Sequence, residues 1–165
     1  MSIFKGKVFK YGNDVNTDVI FPGKYLNIFE PGEMAKHAME DLDKDFVKKV
    51  AFGDVIVAGK YFGCGSSREQ AATCLKAAGV SVVIAESFAR IFYRNAINQG
   101  LAIMICPEIS KIVEAGDELE VEPEKGLIKN LTRGKEATAK PLPPFILGIL
   151  NDGGLIPHLQ KEMKK

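Results

Sequence analysis

Two short runs rich in β-branched residues, Val55-Ile56-Val57-Ala58 and residues 80–85, flank a stretch whose apolar positions are Ala71, Ala72, Leu75 and Ala78. Short apolar runs of this kind read as buried strands, and apolar residues three to four apart read as a helix between them. Strands joined through a helix pair in parallel, because an antiparallel neighbour needs only a tight turn. The segment therefore predicts a βαβ unit with a right-handed crossover and places the chain in the α/β class. Residues 88–98 repeat the helical pattern, with Ser87 as the expected cap and Gly100 at the end. Residues 101–106 supply another buried strand.

The turn between the first strand and its helix reads Gly59-Lys60-Tyr61-Phe62-Gly63-Cys64-Gly65-Ser66-Ser67-Arg68-Glu69-Gln70. In an open α/β sheet such a turn lies at the carboxyl edge, where ligands bind. Ser66-Ser67-Arg68-Glu69 fits a capping box, so the helix is expected to start at Ser66. Gly63 and Gly65 let a ligand approach bare backbone. Arg68 is the informative residue. A cation in the first helical turn opposes the helix dipole unless an anion answers it, and a guanidinium is shaped for a carboxylate.

Upstream, residues 7–11 alternate as a half-buried strand, and Asn16-Thr17-Asp18 sets polar residues inside an apolar run, with Asp18 readable as a turn or cap residue. The segment Lys24-Tyr25-Leu26-Asn27-Ile28-Phe29 carries unusual apolar bulk before a helix expected through Met34, Ala35, Ala38 and Met39. Residues 41–49 are a charged connection tied back by Phe46 and Val47. After Pro107 the pattern changes to a short helix, a strand over 117–122, hairpins, and two terminal helices beyond Pro141-Leu142-Pro143-Pro144, with no chemistry apparent.

With 165 residues the chain is expected to form one domain over positions 1–165. A net charge of +1 without a basic stripe argues against nucleic acid, and apolar runs of only a few residues argue against a membrane span. No secretory h-region opens the chain, so cytoplasm is the expected location. Cys64, Cys74 and Cys106 are widely and irregularly spaced, which fits free thiols better than a disulfide framework. Neither His37 nor His158 sits in a metal-like pattern, so no metal site is expected from this chain alone. Cys64, near a helix N-terminus, is where a lowered thiol pKa would be sought.

Gly-Cys-Gly-Ser-Ser-Arg-Glu-Gln-Ala at 63–71, Ala85-Glu86-Ser87-Phe88-Ala89-Arg90-Ile91-Phe92 and Asn16-Thr17-Asp18 together resemble the swivelling domain of the aconitase family. Three separated motifs in order are far more specific than one. The resemblance implies a three-layer β/β/α swivelling domain with a central, mostly parallel sheet. It also implies a hydro-lyase subunit that is inactive without an iron–sulfur large subunit, acting on a small hydroxy di- or tricarboxylic acid.

By the family pattern Ser66 is the base. Ser67 and Arg68 bind a substrate carboxylate, with Gly65, Thr17 and Asp18 lining the cleft and Asp18 orienting the site. The [4Fe–4S] cluster would be carried by the large subunit, since the cysteines here do not match its ligands. Residues 24–29 would meet the variable arm of the substrate. Similar enzymes that take a third carboxylate have an arginine in this loop, whereas this chain has Asn27, which favours an apolar arm; Lys24 could still reach a carboxylate as a point charge. The candidate substrates are 3-isopropylmalate, homocitrate or homoaconitate, and methylated malates such as citramalate. Full-length aconitases have glutamate where Cys64 stands. Arg90, Arg94 and Asn95 lie one strand over from the turn, although a solvated helix surface accounts for the arginines nearly as well. A stand-alone phosphate- or nucleotide-binding module is the alternative from another class, but no Gly-Lys-Ser/Thr follows the glycines. A non-catalytic regulatory partner is the third reading.

Overall fold

The computed structural model describes residues 3–165; Met1 and Ser2 of the expected 1–165 domain lie outside the described residues. In chain order the elements are β1 (Phe4–Lys10), α1 (Thr17–Ile20), α2 (Pro31–Ala35), α3 (Phe46–Lys49), β2 (Val55–Ala58), α4 (Glu69–Ala77), β3 (Val82–Ala85), α5 (Arg90–Asn98), β4 (Ala102–Ile105), α6 (Ile109–Ile112), β5 (Glu118–Glu122), β6 (Leu127–Asn130), β7 (Lys135–Thr138), α7 (Pro144–Asn151) and α8 (Leu155–Met163). The strands form a seven-stranded sheet in the order β4-β3-β2-β1-β5-β6-β7.

Strands β1 to β4 pair in parallel, with Val8 opposite Val55, Val55 opposite Val82 and Val82 opposite Ala102. The sheet then turns antiparallel through β1–β5, β5–β6 and β6–β7. This change of pairing follows from the connections: helical crossovers separate the first four strands, whereas tight turns join the last three. The expected βαβ units are present.

Strands β2 and β3 are buried on both faces, as a parallel strand between two layers must be. Alternate residues enter different cores. Ile56, Ala58, Val83 and Ala85 face Ala71, Ala72 and Leu75 of α4 and Phe92, Ala96 and Ile97 of α5. Val55, Val57, Val82 and Ile84 face Val8, Leu119, Val121 and Ile128, so the antiparallel half curls over one side of the parallel half. The layers are thus helices, parallel strands and antiparallel strands. Leu75 is fully buried, and its truncation to alanine would cost roughly 2–5 kcal/mol.

Several boundaries differ from the pattern-based expectation. The helix begun by Glu30 covers only Pro31–Ala35, capped by the Glu30 carboxylate on the amides of Gly32 and Glu33, and its continuation breaks where Met39 takes a φ of 60°. Phe46 is buried as expected but Val47 is exposed, and the 41–49 connection is also tied by the Tyr11 hydroxyl donating to Asp43 Oδ2 at 2.8 Å. Burial, with that bond second, pushes the Tyr11 phenol above its ordinary range.

Candidate active site

Because β1, β2 and β3 are parallel, the segments that leave their carboxyl ends share one edge. They stay in sheet order beyond the strands proper: Asn16 bridges Cys64, and Phe62 bridges Phe88. Thr17 N donates to Cys64 O at 2.8 Å, Gly63 N to Val15 O at 2.7 Å and Phe62 N to Ser87 O at 3.1 Å. These bonds hold the 59–68 turn between its neighbours, so positions far apart in sequence meet at the turn.

Two glycines make that close packing feasible. Gly63 has φ 83°, and a β-carbon there would fall inside the Phe92 side chain; Gly65 has φ 100° and would place one 3.3 Å from Thr17 Oγ1. Tyr61 takes a φ of 60° without that freedom, a conformation disfavoured by about 1–2 kcal/mol. Its amide is held by Ser87 Oγ at 2.8 Å.

The expected capping box does not form. Helix α4 starts at Glu69, with Arg68 as its N-cap and no side-chain cap bond. The Ser66 hydroxyl lies 3.1 Å from Thr17 Oγ1, and the Thr17 hydroxyl also has Ser66 O as an acceptor at 3.2 Å. The Glu69 carboxylate accepts from Gln99 Nε2 instead of reaching back to position 66. A long-range partner has taken Ser66 from its local role, and the N-cap falls two residues later, at Arg68. Ser87 likewise does not cap α5, whose N-cap is Ala89.

Arg68 does have an anion. Its guanidinium forms an ion pair with the Asp18 carboxylate and donates from Nη1 to Phe21 O at 3.2 Å. Asn16 positions Asp18 by capping α1, its Oδ1 accepting from Val19 N at 3.1 Å. Gly23 completes the seat: a β-carbon there would stand 3.2 Å from Nη2. Pattern reading missed Gly23, and no local signal marks it. Ser66, Ser67 and Gly65 are exposed, Arg68 is half-buried and Thr17 is buried beneath them. The result is an open shelf with two exposed serines and a half-buried guanidinium beside them. Asn95 braces it from α5, donating from Nδ2 to Ser67 O at 3.2 Å.

The 24–29 segment follows directly. The Tyr25 ring stacks on His37 with centroids 3.7 Å apart, and Lys24 Nζ sits 5.2 Å above the same ring. Leu26, Asn27 and Phe29 are exposed, Phe29 at 79%, and Ile28 packs on the core. At Cys64, where the helix N-terminus could have lowered the thiol pKa, the shift is in the other direction. Burial, and then the nearby Asp14 carboxylate, push it up, so the thiol holds its proton.

The three cysteines do not form a ligand set. Cys74 is buried with Sγ against Ile20 O and Ala71 O, and Cys106 is also buried. Among the described residues no group of three His, Cys, Asp or Glu could hold a metal ion, and no helix is long and apolar enough to cross a membrane.

The aconitase C-terminal domain family is matched over residues 27–108. The 3-isopropylmalate dehydratase small subunit of Caldicellulosiruptor bescii is 60% identical over 163 residues, spanning 99% of this chain and 98% of that protein. The isopropylmalate/citramalate isomerase small subunit of Methanocaldococcus jannaschii is 57% identical over 162 residues, spanning 98% and 96%. The crystal structure of 3-isopropylmalate dehydratase (leuD) from the same archaeon superposes with a TM-score of 0.93 at 46% identity, over 98% of this chain and 96% of that one. Aconitase X of Thermococcus kodakaraensis shares the fold, with a TM-score of 0.51 at 15% identity over 84% and 91% of the two chains.

Proposed function

This chain belongs to the family of 3-isopropylmalate dehydratase small subunits, and from that premise we propose that, joined to a large subunit, it interconverts 2-isopropylmalate and 3-isopropylmalate by loss and return of water. The observation that carries the reading is the open shelf on which Ser66, Ser67 and Arg68 converge, with Thr17 and Asp18 behind them.

The reaction needs a base for a weakly acidic C–H, a clamp for the adjacent carboxylate, and polarisation of the departing hydroxyl. Ser66 Oγ is the base. A serine alkoxide is poorly stable in water, but this one has a hydroxyl partner in Thr17, whose single proton has two acceptors, Ser66 O and Ser66 Oγ. While Oγ is charged, before it takes the C–H proton and after it returns that proton to carbon on rehydration, donation from Thr17 toward Oγ is the better arrangement. The Arg68 charge beside it adds stabilisation that grows when water is excluded.

Arg68 and Ser67 clamp a substrate carboxylate. Nη1 is engaged by Phe21 O and Asp18, so the substrate uses the remaining N–H groups while Asp18 keeps the fork in orientation. Gly65 leaves that approach clear. The residues of this chain do not fit an iron–sulfur cluster. The family's [4Fe–4S] cluster belongs to the large subunit, and when bound there it supplies the Lewis acidity for the hydroxyl.

Residues 24–29 present apolar Leu26 and Phe29 and no arginine, with Lys24 drawn over Tyr25. An apolar substrate arm fits this loop, whereas a third carboxylate would lack a bidentate partner. The archaeal relative named for both isopropylmalate and citramalate favours citramalate as a second substrate. The test is reconstitution with the large subunit and assay on 2-isopropylmalate, citramalate and homocitrate. This chain alone should be inactive, and the pair should turn over the first, with citramalate next. A competent pair that preferred homocitrate would overturn the substrate assignment, and a pair inactive on all three would overturn the function.

A further inference from the structure

Helix α5 begins without an acidic residue in its first turn and without a side-chain cap. It has Arg90 at its first position and Arg94 one turn later, two like charges at the positive end of the helix. Both arginines line a hollow of about 480 Å³ that Lys140 borders from the strap before α7, with Phe88, Ile105 and Ile146 as apolar surface. Arg68 and Arg133, the other two arginines of the chain, are ion-paired with Asp18 and Asp117. Arg90, Arg94 and Lys140 have no carboxylate partner among the described residues. Three unanswered cations around an apolar hollow call for an anion with a hydrophobic neighbour.

The hollow adjoins the catalytic shelf. Phe88 packs edge-on against Phe62, the residue before Gly63, with centroids 6.0 Å apart, and Asn95 of the same helix holds Ser67 O. Both features lie on the carboxyl edge that a second subunit must cover to exclude water from Ser66. We infer that this hollow is a docking socket for the large subunit and receives an acidic side chain flanked by an aliphatic or aromatic one. The inference rests on the reading that a large subunit covers this rim.

The test is calorimetric titration of the purified large subunit into the wild-type chain, an Arg90→Ala/Arg94→Ala double variant and Lys140→Ala, at low and high salt. Removing the paired like charges leaves α5 intact, as circular dichroism and an unlowered thermal midpoint should show. The double variant should bind at least about tenfold more weakly with a shallower salt dependence, and Lys140→Ala, in a different segment, several-fold more weakly. At saturating large subunit, kcat should match wild type. Unchanged affinity and salt slope in both variants would overturn the socket. Turnover of the wild-type pair, read in parallel, tests the functional reading separately: loss of activity with normal socket-dependent binding would sink that reading alone.

Discussion

Two arginine–aspartate pairs occupy opposite halves of this molecule and are built differently. In the antiparallel half, Asp117 is 3% exposed and accepts from Arg133 Nε at 2.7 Å, Asn130 Nδ2 at 2.8 Å and the Glu114 amide at 2.8 Å. Burial alone would raise its pKa, but these donors, Arg133 first, outweigh burial and bring it down to about 2. At the carboxyl edge the arrangement is inverted. Asp18 has a side chain 65% exposed, and it is Arg68, at 18%, that is held in place by Phe21 O. A saturated, buried acid fixes a hairpin; an exposed acid beside a guanidinium with spare N–H groups leaves room for a second anion. The contrast separates a pair closed inside the fold from one whose acid stands open to solvent.

The largest effect that would sharpen this contrast is on catalysis. Arg68→Lys removes the planar fork but keeps the charge, and in the reconstituted enzyme kcat/KM should fall roughly 10²–10³-fold, with thermal stability nearly unchanged. Asp117→Asn should do the reverse. It leaves a buried network without its charged acceptor and should cost roughly 2–3 kcal/mol in denaturant unfolding, with turnover at 25 °C preserved. A comparable loss of turnover in that variant would break the division between the pairs.

The pH dependence is a smaller effect of the same kind. Because the folded-state pKa of Asp117 is depressed, its contribution is complete above about pH 4 and is lost as pH falls toward 2. Urea unfolding of wild type should therefore lose on the order of 2 kcal/mol over that window that the Asp117→Asn variant does not lose. Smallest of all, Asp18→Asn should shift stability by less than about 0.5 kcal/mol, as expected of an exposed pair, and show itself instead as a raised KM.

Much of the parallel half was legible because its signals are local. Residues 55–58 and 80–85 are short β-branched runs, α4 between them and α5 after them have helical spacing, and Gly63 and Gly65 mark the turn. Arg68 could be singled out as a cation lacking an anion, yet the anion, Asp18, lies fifty positions earlier, and no local pattern pairs the two. The same reason explains the capping box. Ser66 has the right neighbours for it, but Thr17 arrives across the sheet edge and engages its hydroxyl, so tertiary contact overrides a local preference. Gly23 was illegible because only the folded guanidinium gives its missing β-carbon a meaning. The Asp117 network joins positions 114, 117, 130 and 133 through a hairpin turn, and the residues after Pro107 gave no hint of it beyond strand and turn propensity.

The central claim is that Ser66 takes the proton. The direct measurement is kcat of Ser66→Ala on 2-isopropylmalate with saturating large subunit, alongside its thermal midpoint and its affinity for that subunit. Turnover should fall roughly 10³-fold while the other two stay at wild-type values. Turnover within a few-fold of wild type, with the same binding, would contradict the account.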